Sequence, residues 1–191
     1  MRICYPFARF AALRENQNMT RRLIHLSGYL LCAWLLAALA GCATTINKAH
    51  PMIVTQPDVA AANMYFIRPM TYRERGVADN PVGVEFNGME LLKLGKGEYT
   101  LLRLRPEKVL LKTRNQTAFT NKNEYVEMTR ELRLELAPGK TYFIHIRQVN
   151  EEFRGVYYVP LLVDLKAAKE LIIDAGPTLA ARSAPIDALS P

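Results

Sequence analysis

A strict alternation of apolar and polar residues over positions 126–136 limits this chain more than any other feature. Val126, Met128, Leu132, Leu134 and Leu136 share one parity, and Glu127, Thr129, Glu131, Arg133 and Glu135 share the other. A period of two is the side-chain repeat of a β-strand, so the stretch reads as a strand with one dry face and one wet face. Arg130 is the charged exception on the apolar side, which predicts a bulge or a strand end near it. The same period recurs from residue 62 to residue 163. Met64-Tyr65-Phe66-Ile67-Arg68 is stopped by Pro69, and Val82, Val84 and Phe86 alternate with Gly83 and Glu85. Asn87-Gly88 then supplies a hairpin turn into Leu91-Leu92-Lys93-Leu94, because both residues tolerate the positive φ such a turn needs. Gly95-Lys96-Gly97 and Ala137-Pro138-Gly139-Lys140 are further turns, leading into strands at 99–105 and 142–147. Strands over 109–114 and 156–163 complete the set. At 165–173 the period changes: Leu165, Ala168, Leu171 and Ile172 fall on one helical face, with Asp164 placed to cap it. Seven or so short strands between turn signals predict a mainly β fold, a small antiparallel β-sandwich with one short C-terminal helix.

The N-terminus carries a different signal. Residues 29–40 are an unbroken apolar run of twelve residues. That is short for a membrane span, which takes roughly 20, and suits the core of an export signal. Arg21 and Arg22 precede the run, and the small residues Ala40 and Gly41 follow it. Leu39-Ala40-Gly41-Cys42 resembles the lipobox of bacterial lipoproteins. The resemblance implies a diacylglyceryl group on the Cys42 thiol, cleavage before Cys42 and acylation of its new amine. Residues 1–41 are therefore expected to be a removed signal peptide; Met19-Thr20-Arg21-Arg22 opens an ordinary signal, so either the true start is Met19 or residues 1–18 are an unusually long n-region. The expected order after it is a lipidated Cys42 with a flexible tether over 42–61, the β-sandwich over 62–175 and a disordered tail over 176–191.

Charge and cysteine usage agree with an exported chain that relies on an ordinary core. Of 25 Lys+Arg and 18 Asp+Glu, five Arg and one Glu lie in residues 1–41, leaving a net charge of +3 after them. A mildly basic, evenly mixed surface gives no nucleic-acid footprint. Cys4 and Cys32 fall in the signal and Cys42 is the acylation site, so no cysteine remains for a disulfide.

The order of motifs has a family likeness. Met64-Tyr65-Phe66-Ile67-Arg68-Pro69, Val84-Glu85-Phe86-Asn87-Gly88, Gly97-Glu98-Tyr99 and Pro138-Gly139-Lys140-Thr141-Tyr142-Phe143 together resemble the domain of unknown function 2846 family over about residues 60–174. Pro106-Glu107-Lys108 departs from it, where the family pattern has Pro-Gly and a polar residue. The resemblance implies a prealbumin-like or immunoglobulin-like sandwich, often on a bacterial lipoprotein. The family has no established activity, so no functional residue is inherited.

No catalytic or metal-binding constellation is legible. His50 lies in the tether and His145 on a strand, and neither has a nucleophile, an orienting group or converging ligands in view. No cofactor is expected. Asn115-Gln116-Thr117 matches a glycosylation sequon, which a bacterial lipoprotein would rarely use. Two connections are long enough to bind something. The first, after Pro69, carries Tyr72, Arg73 and Arg75; the second carries Phe153 and Arg154. Tyr and Arg offer contact area and donors suited to anionic or glycan partners. The expected function is a non-catalytic binding or structural module of the cell envelope, held to a membrane through Cys42 and contacting an envelope protein or glycan. Ala43 and Thr44 follow Cys42 with no Asp beside it, which favours the periplasm-facing leaflet of the outer membrane over the inner membrane. The alternatives are an envelope enzyme acting on peptidoglycan or lipid, and a periplasmic ligand sensor.

Overall fold

The computed structural model describes residues 44–57, 60–70, 80–119, 124–151 and 155–190. The chain divides into two units, Met1–Gly41 and Cys42–Pro191, and all described residues belong to the second. The fold is a β-sandwich. Its strands are β1 (Thr45–Ile46), β2 (Ala62–Arg68), β3 (Val82–Phe86), β4 (Met89–Leu94), β5 (Glu98–Leu104), β6 (Lys108–Phe119), β7 (Glu124–Glu135), β8 (Thr141–Glu151), β9 (Gly155–Val163) and β10 (Gly176–Pro177). One sheet runs β1-β4-β3-β6-β7 and the other β10-β5-β2-β8-β9. Pairing is antiparallel except at β2–β8 and β10–β5. Asn87 and Gly88, both at positive φ, make the expected two-residue turn from β3 to β4.

Alternation fills the space between the sheets. Met64 and Phe66 of β2 and Ile144 and Ile146 of β8 meet Val84 and Phe86 of β3 and Leu111 of β6. Phe66 and Phe86 pack edge to face, with ring centroids 6.1 Å apart. The opposite parity of the second sheet is also covered. Tyr65, Ile67, Tyr99 and Phe143 form a second apolar cluster with Ala168, Ala181 and Ile186. Strand β2 is therefore buried on both faces, as its run of apolar residues without alternation requires. The first layer over that outer face is α1 (Leu165–Leu171), capped as expected by Asp164, whose carboxylate accepts from Ala167 N–H. A 3-10 turn at Ile172–Asp174 continues it.

Three expectations need correction. Residues 176–190 of the tail are ordered. A seven-residue helix cannot cover a five-stranded sheet, and the tail covers the rest. Gly176 and Pro177 pair with β5, Ala181 and Ile186 are buried, and Tyr65 Oη donates to Ala184 O at 2.7 Å. The stretch read as a tether is also folded over residues 44–57. Thr45 and Ile46 pair with β4, Ile53 bridges Leu104, and Met52 enters the main core. Without this segment the core would lie open where β4 begins and β5 ends. Finally, there is no bulge at Arg130: β6 and β7 stay in register throughout. Its guanidinium is instead covered by the Tyr157 ring, 3.9 Å from the centroid. The register shift falls at Val84/Glu85.

Candidate functional site

The residues singled out from the sequence, Cys42, the loop bearing Tyr72, Arg73 and Arg75, and the loop bearing Phe153 and Arg154, lie outside the described residues. Their flanks are described, and those of the first two come together. Strand pairing builds that meeting place. Arg68 at the end of β2 pairs with Glu98 at the start of β5, and Val82 at the start of β3 pairs with Leu94 at the end of β4. These positions form one end of the sandwich.

Thr44 is fixed at that end. Its N–H and its hydroxyl both donate to Glu98 Oε2, at 2.9 and 2.6 Å, and Gly95 N–H donates to its Oγ1 at 2.9 Å. Glu98 can take both because a carboxylate oxygen accepts more than one donor. Next to this contact is the Gly95-Lys96-Gly97 turn. Gly97 has φ +69, and a Cβ there would come within 2.8 Å of Met70 Cε. Met70 N–H donates to Asp174 O and Gly176 N–H to Gly97 O, both at 2.8 Å. The rim of this end is thus Thr44, the Gly95–Gly97 turn, Met70 and the 3-10 turn at Ile172–Asp174.

Under the rim sits a buried cation. Arg68 follows the inward parity of Met64 and Phe66 and is 2% exposed. Its Nη1 donates to Asn80 O and Leu94 O, and its Nη2 to Tyr158 Oη, each at 2.9 Å. The guanidinium also lies 4.7 Å from the centroid of the Tyr158 ring. One side chain therefore ties β2, β4 and β9 to the residue where the 71–79 connection returns. A guanidinium suits this task because its donors are held in one plane at fixed angles. Sequence reading treated Arg68 as a strand end before Pro69. The available signal was its parity, which aims it inward.

The second connection is flanked by a different device. Gly155 has φ +71, and a Cβ there would lie 2.6 Å from Thr117 Oγ1. The free edge of β9 is capped by side chains of β6. Thr113 Oγ1 donates to Tyr158 O at 2.6 Å, Asn115 Nδ2 donates to Val156 O at 2.9 Å, and Val156 N–H donates to Thr117 Oγ1 at 3.1 Å. This protects an edge that would otherwise invite another strand. Asn115 and Thr117 of the sequon are part of that cap.

Elsewhere the surface neutralises itself. On the outer face of the first sheet Arg114 is 3.3 Å from Glu85, 3.6 Å from Glu90 and 3.8 Å from Glu127, and Lys112 is 3.1 Å from Glu131. A shallow cleft there includes Gly83, Lys93, Arg114 and Glu127. Three carboxylates around one guanidinium leave no net positive charge for an anion, and the exposed pairs among them, those not involving the buried Glu85, each contribute about 0–1 kcal/mol. His145, half-buried on the outer face of the second sheet, has its pKa lowered to about 4 by burial and by Arg147. His50 is 3% exposed in the segment that closes the far end. Its Nδ1 accepts from Met52 N–H at 3.2 Å, and its Nε2 has no partner among the described residues. Among the described residues no group of three or more His, Cys, Asp and Glu converges to hold a metal ion.

Comparison with known protein families, with curated proteins and with solved structures gave no match. The resemblance to the domain of unknown function 2846 family rests on its motifs and their order alone.

Proposed function

We propose that this chain is an envelope lipoprotein whose β-sandwich is a binding or structural module, carried on acyl chains at Cys42 and facing the periplasm from the outer membrane. The observation that carries the reading is the position of the lipobox. Leu39-Ala40-Gly41-Cys42 ends an apolar run of export-signal length. The boundary between the two units of the chain falls between Gly41 and Cys42, where the signal would be cut. Thr44, two residues further on, is held to the sandwich through Glu98 and Gly95. One acyl chain holds a protein to a bilayer only marginally, whereas two or more hold it firmly. The partner is an envelope protein or glycan met by the sandwich.

Cys42→Ser tests this reading. The variant should lose acylation and remain as uncleaved precursor. Mass spectrometry of the N-terminal peptide from the membrane fraction should find diacylglyceryl-cysteine at position 42 in the parent only. Normal processing and unchanged fractionation of Cys42→Ser would overturn the proposal.

A further inference from the structure

We infer that the Thr44 end of the sandwich is a membrane-contacting surface, held against the bilayer that carries the acyl chains. The inference rests on the lipoprotein reading and adds an orientation to it.

The first ground is chain length. Two residues of fully extended chain span at most about 7 Å. Cys42 is two residues before Thr44, and Thr44 is held to Glu98 and Gly95 by three hydrogen bonds. A nineteen-residue tether would have let the domain swing freely, but the ordering of residues 44–57 removes that freedom. Acyl chains on Cys42 then bring the rim around Thr44 to the headgroups.

The second ground is where apolar surface is left uncovered. Seven large hydrophobic residues are exposed among the described residues: Met70, Met89, Tyr125, Val126, Leu162, Ile173 and Leu179. Four of them belong to the Thr44 end. Met70, 40% exposed, lies on the Gly97 turn, and Ile173, 80% exposed, is next to Asp174, whose carbonyl accepts from Met70 N–H. Tyr125 and Val126 lie on the β6–β7 hairpin, which runs on past Arg114, the last β6 residue paired with β3. That hairpin therefore overhangs the same end. Exposed apolar side chains gathered on one end, around the attachment point of a lipid, have a partner in the lipid boundary. Strands β1 and β7 are the two edges of their sheet. A plane resting on both the rim at β1 and the overhang at β7 leans the domain towards the bilayer.

The test uses the acylated, signal-cleaved chain beginning at Cys42 in vesicles. Beyond Cys42 the chain has no cysteine, so Ile173→Cys and Met89→Cys each give one free thiol once Cys42 is acylated. Both positions are exposed, and they lie at opposite ends of the sandwich, about 20 Å apart along the strands. Each variant is labelled with a fluorophore and placed in phosphatidylethanolamine–phosphatidylglycerol vesicles containing lipids brominated in the acyl chain. Quenching at position 173 should exceed that at 89 several-fold. Acylation of Cys42 is verified by mass on the same sample. Equal quenching with Cys42 acylated overturns the docked orientation and leaves the lipoprotein reading standing. Absence of acylation overturns both.

Discussion

Arg68 is the residue whose replacement should cost this fold most for its size. Arg68→Ala removes the donors facing two backbone carbonyls, those of Asn80 and Leu94, and the Tyr158 hydroxyl. A buried acceptor left without a donor costs roughly 1–3 kcal/mol. The two carbonyls cannot turn away, whereas the hydroxyl can rotate to another partner. Loss of the aliphatic stem from the interior adds about 1 kcal/mol. Relief of the charge from its desolvated site returns part of the total. The expected net loss is about 3–5 kcal/mol, a large share of the ~5–15 kcal/mol that holds a domain folded. Arg68→Lys keeps the charge but loses the planar fork, and should lose about half as much. Guanidinium chloride unfolding followed by far-UV circular dichroism measures both. Tyr158→Phe, alone and combined with Arg68→Lys, isolates the hydroxyl contact, with a coupling of about 1 kcal/mol expected. A loss below about 1 kcal/mol for Arg68→Ala would refute the reasoning, because the carbonyls would then have found other donors.

Two further outcomes follow from the outer face of the second sheet. His145 stays neutral in the fold down to about pH 4, against an ordinary 6.5. Between those values the unfolded chain holds a proton that the folded chain does not, so stability should fall as pH drops through this window. The denaturation midpoint should be lower at pH 4.5 than at pH 7, with a smaller difference in His145→Gln; equal pH dependence in the two proteins would refute the assignment. Ile186→Asp places a charge in the cluster of Tyr65, Tyr99 and Ala181. It should cost about 3 kcal/mol and deprotect the amides of residues 176–190 to hydrogen exchange, whereas a tail that does not pack would show neither effect.

The main core was legible because its signal is local. Val84 and Phe86 against Gly83 and Glu85, or Leu132 and Leu134 against Glu131 and Arg133, place their faces by parity alone. The Asn87-Gly88 turn and the Asp164 cap were legible for the same reason, since each is set by residues adjacent in the chain. What covers a sheet is not local. Tyr65, Ile67, Tyr99 and Phe143 come from three strands, and they meet Ala181 and Ile186 more than thirty residues beyond the last of them. The tail has no period because it lies on the sheet as extended chain and turns, where no 3.6 or 2.0 repeat is imposed. One signal did exist: the unbroken run in β2 required cover on both faces, and seven helical residues were too few to supply it.

The ends of the chain had the same weakness and carry the larger functional consequence. Composition made residues 43–61 look like a linker, since Thr, Asn, Gln, Asp and Pro dominate it. Four apolar residues, Ile46, Met52, Ile53 and Val54, are enough to dock residues 44–57. Met52 and Val54 are buried, and Ile46 and Ile53 pack against the core. Docking converts a reach of roughly 60 Å into one of about 7 Å. On the proposed acylation of Cys42, a domain so placed would not search the periplasm. The connection that bears Tyr72, Arg73 and Arg75 starts after Met70 and ends at Asn80, both at the Thr44 end. On the proposed membrane-docked orientation, a partner met there would lie at the membrane surface. A partner standing off the membrane would be met from the far end, where the Asn87-Gly88 and Pro138-Gly139 turns project about one strand length away, some 23 Å for the seven residues of β5.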